Sequence, residues 1–251
     1  MCLIAFAFTP GQERHLLLAA NRDEFHQRPA RIMSWWAWPN GPLAGRDEQA
    51  GGTWLAVSHD GHWAVVTNFR DPRAQGGQRT RGDLPLDFIQ SGLSPEAYVS
   101  DVHARRGDYG SFNLLAGDRE SLWYCSTHAD PIAVEPGIHA LSNGLLDEPW
   151  PKSRRVATAL RGLGASDGQC DLQRLFGLMD DREPAGDAEL PDTGVGMELE
   201  RRLSPPFIVS PQYGTRCTTV LSLGAHSVAA ERSFSADGVV SGQVNYGFAI
   251  R

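Results

Sequence analysis

The chain has 251 residues, 41% of them hydrophobic and 21% charged, with a formal net charge of -7. That length fills one large core, and the acidic balance argues against a general nucleic-acid or anionic-membrane binder, which needs a basic surface. No apolar run approaches the roughly eighteen residues of a membrane helix, and the first residues lack the basic start of a signal peptide, so a cytoplasmic protein with no stable membrane insertion is expected.

Residues 2–8 read as a strand, 9–14 as a turn and 15–20 as the returning strand, which ends in four polar residues, Asn21-Arg22-Asp23-Glu24. In an antiparallel pair the end of the second strand lies beside the start of the first, so this hairpin sets the tetrad next to Cys2. Removal of Met1 would leave Cys2 carrying both a thiol and a free α-amine. These titrate at about 8.5 and about 7.7–8.0, so the amine can take the thiol proton at little cost. An N-terminal amine is a known activator of a side-chain nucleophile. The plainer reading is that Cys2 is a small apolar residue at the start of a buried strand.

Residues 25–52 are rich in turn formers and hold Trp35, Trp36 and Trp38, either an aromatic wall for an apolar ligand or ordinary packing. Runs 53–58 and 62–67 flank Asp60-Gly61, a hairpin signal, and the second run stops at Asn68. The loop 70–83 carries four arginines that either attract an anion or solvate the surface. Residues 84–91 read as a helix, and Ser94-Pro95 opens a second one running to about residue 106. Runs 112–116 and 121–125 make another hairpin, and 137–141 is a short strand stopping at Ser142-Asn143-Gly144.

Apolar spacing marks a helix over 151–163, with Lys152, Arg154 and Arg155 near its start. Cations there oppose the helix dipole unless an anion or a salt bridge answers them. A further short helix is read over 171–181. Residues 183–206 form a polar, Pro- and Gly-rich excursion, read as a mobile loop or lid. Tyr213-Gly214-Thr215-Arg216 leads into a strand over 217–223, and 227–234 and 243–250 close the chain as strands. Many hairpins with helices grouped between them predict an α+β domain whose sheets are covered by helices.

The four cysteines, at 2, 125, 170 and 217, are far apart, which gives no metal or disulfide framework, and no phosphate-binding glycine motif is present. No metal and no cofactor is expected on these grounds.

The tetrad, Met1-Cys2-Leu3, Gly51-Gly52-Thr53-Trp54, Val66-Thr67-Asn68-Phe69, Leu141-Ser142-Asn143-Gly144 and Tyr213-Gly214-Thr215-Arg216 together resemble the NRDE family, that of the eukaryotic transport and Golgi organisation proteins. The resemblance covers the whole chain, 1–251, as a single domain. More distantly the chain resembles N-terminal-nucleophile (Ntn) hydrolases of the choloylglycine hydrolase type. That likeness implies a four-layer αββα sandwich of two antiparallel sheets covered by helices. It also implies Cys2 as nucleophile, Asp23 as the acid positioning its amine and thiol, and Asn68, Asn143 and Arg216 as further catalytic residues. Asn21, Arg22, Glu24 and Trp54 are then candidates for substrate binding. The tetrad order departs from the Arg-Asn-x-Asp of the hydrolases, which leaves Asp23 and Glu24 as rivals for the acid.

The expected activity is hydrolysis of a non-peptide C–N amide bond. The alternative is a non-catalytic protein on the same fold that handles haem, lipid or acyl-coenzyme A, which is what the resemblance to the eukaryotic relatives implies. Either way the partner is a small molecule, an amide, an acyl compound or a haem-like ligand. Oligomeric state is not readable from the sequence.

Overall fold

The opening hairpin sets the frame. Cys2–Phe8 (β1) pairs antiparallel with Arg14–Phe25 (β2), in a register running from Cys2 opposite Arg22 to Phe8 opposite Leu16. Thr9 closes the turn between them, its hydroxyl donating to the Arg14 carbonyl at 2.8 Å. β2 outlasts its apolar run, because the whole polar tetrad stays paired with a later strand on one side, and Asn21 and Arg22 also with β1 on the other. The structure is a computed structural model and describes residues 2–74, 76–163 and 172–250.

Ala30–Trp35 (β3) and Leu43–Asp47 (β4) follow, two strands inside the stretch that reads as turn-rich. Leu55–Val57 (β5) and Trp63–Asn68 (β6) form the hairpin that Asp60-Gly61 signals, with Gly61 at φ 86°, where a side chain is disfavoured. Asp83–Ser91 (α1) and Pro95–Ala104 (α2) are the two helices read from the sequence, and the Ser94 hydroxyl caps the second by accepting the Ala97 N–H.

Phe112–Gly117 (β7) and Leu122–Ser126 (β8) lead to Ala129–Ala133 (β9). This last strand holds Asp130 and Pro131 and gives no strand signal, which suits an edge position. Gly137–Leu141 (β10), Pro151–Gly162 (α3) and Leu172–Leu178 (α4) come next. The reading of 171–181 as helix begins at a residue outside those described, as does Cys170. Met197–Arg202 (α5) sits within the 183–206 excursion, and Tyr213–Gly224 (β11), Ser227–Phe234 (β12) and Val240–Phe248 (β13) complete the chain.

The strands make two antiparallel sheets, ordered β10-β1-β2-β11-β12-β13 and β3-β4-β5-β6-β7-β8-β9. Successive side chains on a strand point to opposite faces, and here both faces are covered. Ile4, Phe6, Leu18 and Leu221 of the first sheet meet Leu55, Val65 and Leu115 of the second in the core between them. Leu3, Ala5, Ala19 and Val220 face outward onto Val156, Leu160, Leu175 and Phe176 of α3 and α4. Ala64, Val66 and Leu114 face outward onto Leu84, Phe88, Val99 and Val102 of α1 and α2. The layers therefore run helix, sheet, sheet, helix, the αββα sandwich the sequence predicts. Burial on both faces explains why β1 and β7 are apolar nearly throughout rather than alternating.

Candidate active site

Cys2 begins β1, and three neighbouring segments converge on its end of the sandwich. The Ser142 hydroxyl donates to the Cys2 carbonyl at 3.3 Å. The turn that Ser142 belongs to is fixed to the second sheet: Thr67 Oγ1 donates to the Ser142 carbonyl, Arg70 N to the Asn143 carbonyl, and Asn113 Nδ2 to the Gly144 carbonyl. The ends of β1, β6 and β10 are thereby bound to one another.

The tetrad divides by strand alternation. Asn21 points toward the helical layer, where Nδ2 donates to the carbonyls of Met179 and Pro206 and Oδ1 accepts from Thr218. Its expected part in substrate binding does not fit this position, because its amide is committed to holding the 203–206 run against the sheet. Arg22 points the other way, into the second sheet: Nη2 donates to Asp47 Oδ2 at 3.0 Å and the guanidinium lies 4.5 Å from the centroid of Trp54. Asp47 also accepts from Arg28 Nε at 2.6 Å.

Asp23 returns to the Asn21 side and is 1% exposed; its Oδ1 accepts the Thr215 hydroxyl at 2.7 Å. Glu24 is half-buried and accepts the N–H of Phe25. Of the two rival carboxylates, Asp23 is the buried one beside the thiol.

Cys2, Arg22, Asp23, Glu24, Thr53, Trp54, Asn68 and Arg81 line a small pocket of about 100 Å³. Beside it lies a cleft of about 750 Å³ whose wall shares Glu24 and Asn68 with that pocket and adds Leu199, Leu203, Phe207, Ile208 and Tyr213. The larger space is mostly apolar, and part of its wall is α5 and the excursion around it. Arg182, Arg201 and Arg202 also reach its lining.

The electrostatics keep the thiol protonated at rest. Burial pushes the Cys2 thiol up and the Asp23 charge adds to this; the Arg22 charge and the Asp23 backbone N–H, which points at the sulfur, work against it. Burial also pushes the Asp23 carboxyl up, opposed most by the charge of Lys152, with the Thr215 hydroxyl and the Arg22 charge among the lesser opposing causes. Such a thiol needs a base close by before it can act.

The remaining expected residues fall into two kinds. Asn68 ends β6 and borders both cavities, so its side-chain amide is available to a ligand there. Asn143 is fully buried and donates from Nδ2 to the Asn68 carbonyl at 2.8 Å, so it positions Asn68. Arg216 differs from expectation: Nη1 donates to the carbonyls of Phe25, His26 and Arg28, and its neighbour Thr215 is the residue that reaches Asp23. A bulge between Thr215 and Cys217 makes Arg216 the extra residue of the strand, and its guanidinium is committed to those carbonyls rather than to Asp23.

Sequence reasoning passed over several groups. Lys152 of α3 is 2% exposed, and Arg70 is a buried cation whose partner is Glu200 of α5. The cations at the start of α3 and the arginines of loop 70–83 gave the only signs. Arg154 and Arg155 turn out to pair with Glu189 and Asp181, and Lys152 goes inward. No group of three or more metal-ligating side chains occurs among the described residues. The tryptophans of 35–38 do not form a wall of the cleft: Trp35 stacks on His59, and Trp36 packs edge-on against Trp38.

Comparison with known proteins bears on the family and the fold. The Transport and Golgi organisation 2 family matches residues 1–234. The Transport and Golgi organization protein 2 homolog of Bos taurus is 34% identical over 261 residues, covering 93% of each chain, and that of Homo sapiens is 32% identical over 260 residues with the same coverage. Among solved structures, two variants of the conjugated bile acid hydrolase from Clostridium perfringens superpose with TM-scores of 0.51 and 0.52 at 10% and 11% identity. They cover 99% and 98% of this chain and 92% and 97% of theirs. At that identity the likeness is one of fold.

Proposed function

The chain belongs to the Transport and Golgi organisation 2 family, and we propose that it works as an N-terminal-nucleophile hydrolase cleaving the C–N bond of a non-peptide amide. The observation that carries this reading is the placement of Cys2. Its thiol opens on a narrow polar pocket bordered by Asp23, Asn68 and Arg81, and that pocket adjoins an apolar cleft of about 750 Å³. A cleft of that size and lining suits the apolar acyl part of a substrate, with the carbonyl carbon delivered to the sulfur.

With Met1 removed, the α-amine of Cys2 takes the thiol proton as sulfur attacks the carbonyl carbon. The C–S bond forms and the carbonyl electrons move to oxygen, where the Asn68 amide is placed to donate. Collapse breaks the C–N bond, the leaving nitrogen takes the proton from the α-amine, and water then hydrolyses the thioester to acid and free thiol. Asp23 holds the amine, and Asn143 holds Asn68 in place.

The test is direct. Intact mass should show loss of Met1, and a panel of N-acyl amino acids and N-acyl amines should include a substrate whose turnover Cys2→Ala abolishes. An enzyme that cleaves such an amide equally well without the thiol sinks the reading.

The alternative, a non-catalytic carrier of lipid, acyl-coenzyme A or haem, draws support from the apolar cleft alone. A haem fits poorly, because among the described residues lining the larger space Tyr213 alone is of a type that holds haem iron, and its hydroxyl donates to the Asp23 carbonyl. An apolar acyl ligand fits both readings, and turnover separates them.

A further inference from the structure

Lys152 is the second residue of α3, directly after Pro151, and α3 packs on β1 and β10. A lysine at a helix start ordinarily reaches solvent, as Arg154 does two residues on. Lys152 instead turns inward and is 2% exposed, and its Nζ has no hydrogen-bond partner among the described residues. An ammonium so placed gives up hydration without replacing it, a cost seldom tolerated unless an opposite charge lies close.

Alternation along β2 identifies the charge. Asn21 and Asp23 are the tetrad residues directed to the helical side of the sheet, and Asp23 is the carboxylate among them. Of the other buried cations in this neighbourhood, Arg70 is already paired with Glu200 and Arg22 with Asp47.

We propose that Lys152 is a positioning residue of the Cys2 site, the counter-charge that holds the Asp23 carboxylate in place beneath the nucleophile. This is the part expected of Arg216, whose guanidinium is instead bonded to the carbonyls of Phe25, His26 and Arg28. It deepens the hydrolase reading, since Asp23 is the group that orients the α-amine, and it gives the fully buried lysine a role. The charges agree from both sides. Burial lowers Lys152 to about 8, against which Asp23 is the foremost opposing charge, and Lys152 is in turn the foremost charge acting on Asp23. Arg70, Cys2 and Glu200 also face the ammonium, and Arg22 also faces the carboxylate.

The experiment reads Asp23 directly, in the full-length protein with 13C-labelled aspartate carboxyls, assigning the Asp23 signal by its absence from Asp23→Asn. In the wild type the carboxyl is expected to be ionised at pH 7 and to show a second inflection near pH 8 as Lys152 loses its proton. Lys152→Met, or the shorter neutral Lys152→Gln, is expected to raise the Asp23 midpoint by at least about one pH unit, a tenfold change in proton affinity. A wild-type Asp23 signal with no inflection near pH 8 overturns the proposal without any variant having to fold. So does a folded neutral variant whose Asp23 midpoint stays put. Hydrolysis is scored separately: where a substrate is known, Lys152→Gln should lower kcat more than it changes KM. A protein that cleaves no amide would sink the hydrolase reading and leave the carboxyl titration standing.

Discussion

Arg22 and Trp54 are stacked across the two sheets, with the guanidinium carbon 4.5 Å from the indole centroid. The stack closes one side of the Cys2 pocket, and it is possible because the residue under the indole is a glycine. A methyl group built on Gly45 would lie 2.3 Å from Trp54 Cζ2.

Gly45→Ala should therefore push Trp54 off Arg22 and cost about 1–3 kcal/mol, the usual range for overpacking a filled site. Urea unfolding checks the stability, and indole fluorescence checks the stack. A variant within about 0.5 kcal/mol of wild type would show that the indole shifts freely.

Thr215 does two jobs with one hydroxyl. It donates to Asp23 Oδ1 at 2.7 Å and accepts the Ile208 N–H at 2.9 Å. Thr215→Val keeps the volume and loses both bonds, so stability should fall by about 1–3 kcal/mol. The Ile208 amide should also exchange faster with solvent. Unchanged protection at Ile208 would mean that the hydroxyl is dispensable there.

Arg216 ties down the carbonyls of Phe25, His26 and Arg28, and Arg28 in turn pairs with Asp47. Arg216→Met should speed amide exchange at 25–28 and lower stability by about 1–3 kcal/mol. The pH midpoint of Cys2 alkylation by iodoacetamide should stay where it is. A midpoint displaced by about one unit would return Arg216 to the electrostatics of the thiol.

His139 and Asp147 supply a pH signature away from the site. The hydrogen bond that His139 donates to the Asp147 carboxylate raises His139 above its ordinary value. Burial pushes Asp147 up, but the bond to His139, the Ala140 N–H and the charges of His139 and Arg161 together outweigh it and leave the carboxyl lowered. The His139 contribution to stability is thus complete below the ordinary histidine range and is lost as pH rises through its raised folded value. The Asp147 contribution is complete above the ordinary carboxylate range and is lost as pH falls through its lowered folded value. Melting temperature against pH should accordingly decline on both sides of a weakly acidic plateau, and His139→Gln should remove the alkaline decline specifically. An alkaline decline of the same size in His139→Gln would place its origin elsewhere.

Much of this architecture was readable because hairpins announce themselves locally. The Asp60-Gly61 turn and the Ser94-Pro95 cap lie where the residues say, and the turn between β1 and β2 brings Cys2 opposite Arg22. What escaped depends on distant partners. β3 and β4 lie in a stretch dominated by turn residues, and β9 carries Asp130 and Pro131, which only an edge position accepts. Within the site, one polar tetrad reads as one functional unit, yet alternation sends Asn21 to packing and Arg22 to the second sheet. Arg216 sits one residue from the position that reaches Asp23, and a bulge invisible in the residues decides the matter. Lys152 registered only as a charge at the wrong end of a helix.

The location of Cys2 has a practical corollary. It opens a strand flanked on both sides within its sheet, and its side chain borders the narrow pocket. In the proposed mechanism, a fusion partner or affinity handle joined ahead of it would convert the α-amine into an amide. Handles belong instead beyond β13, on the outer margin of the same sheet.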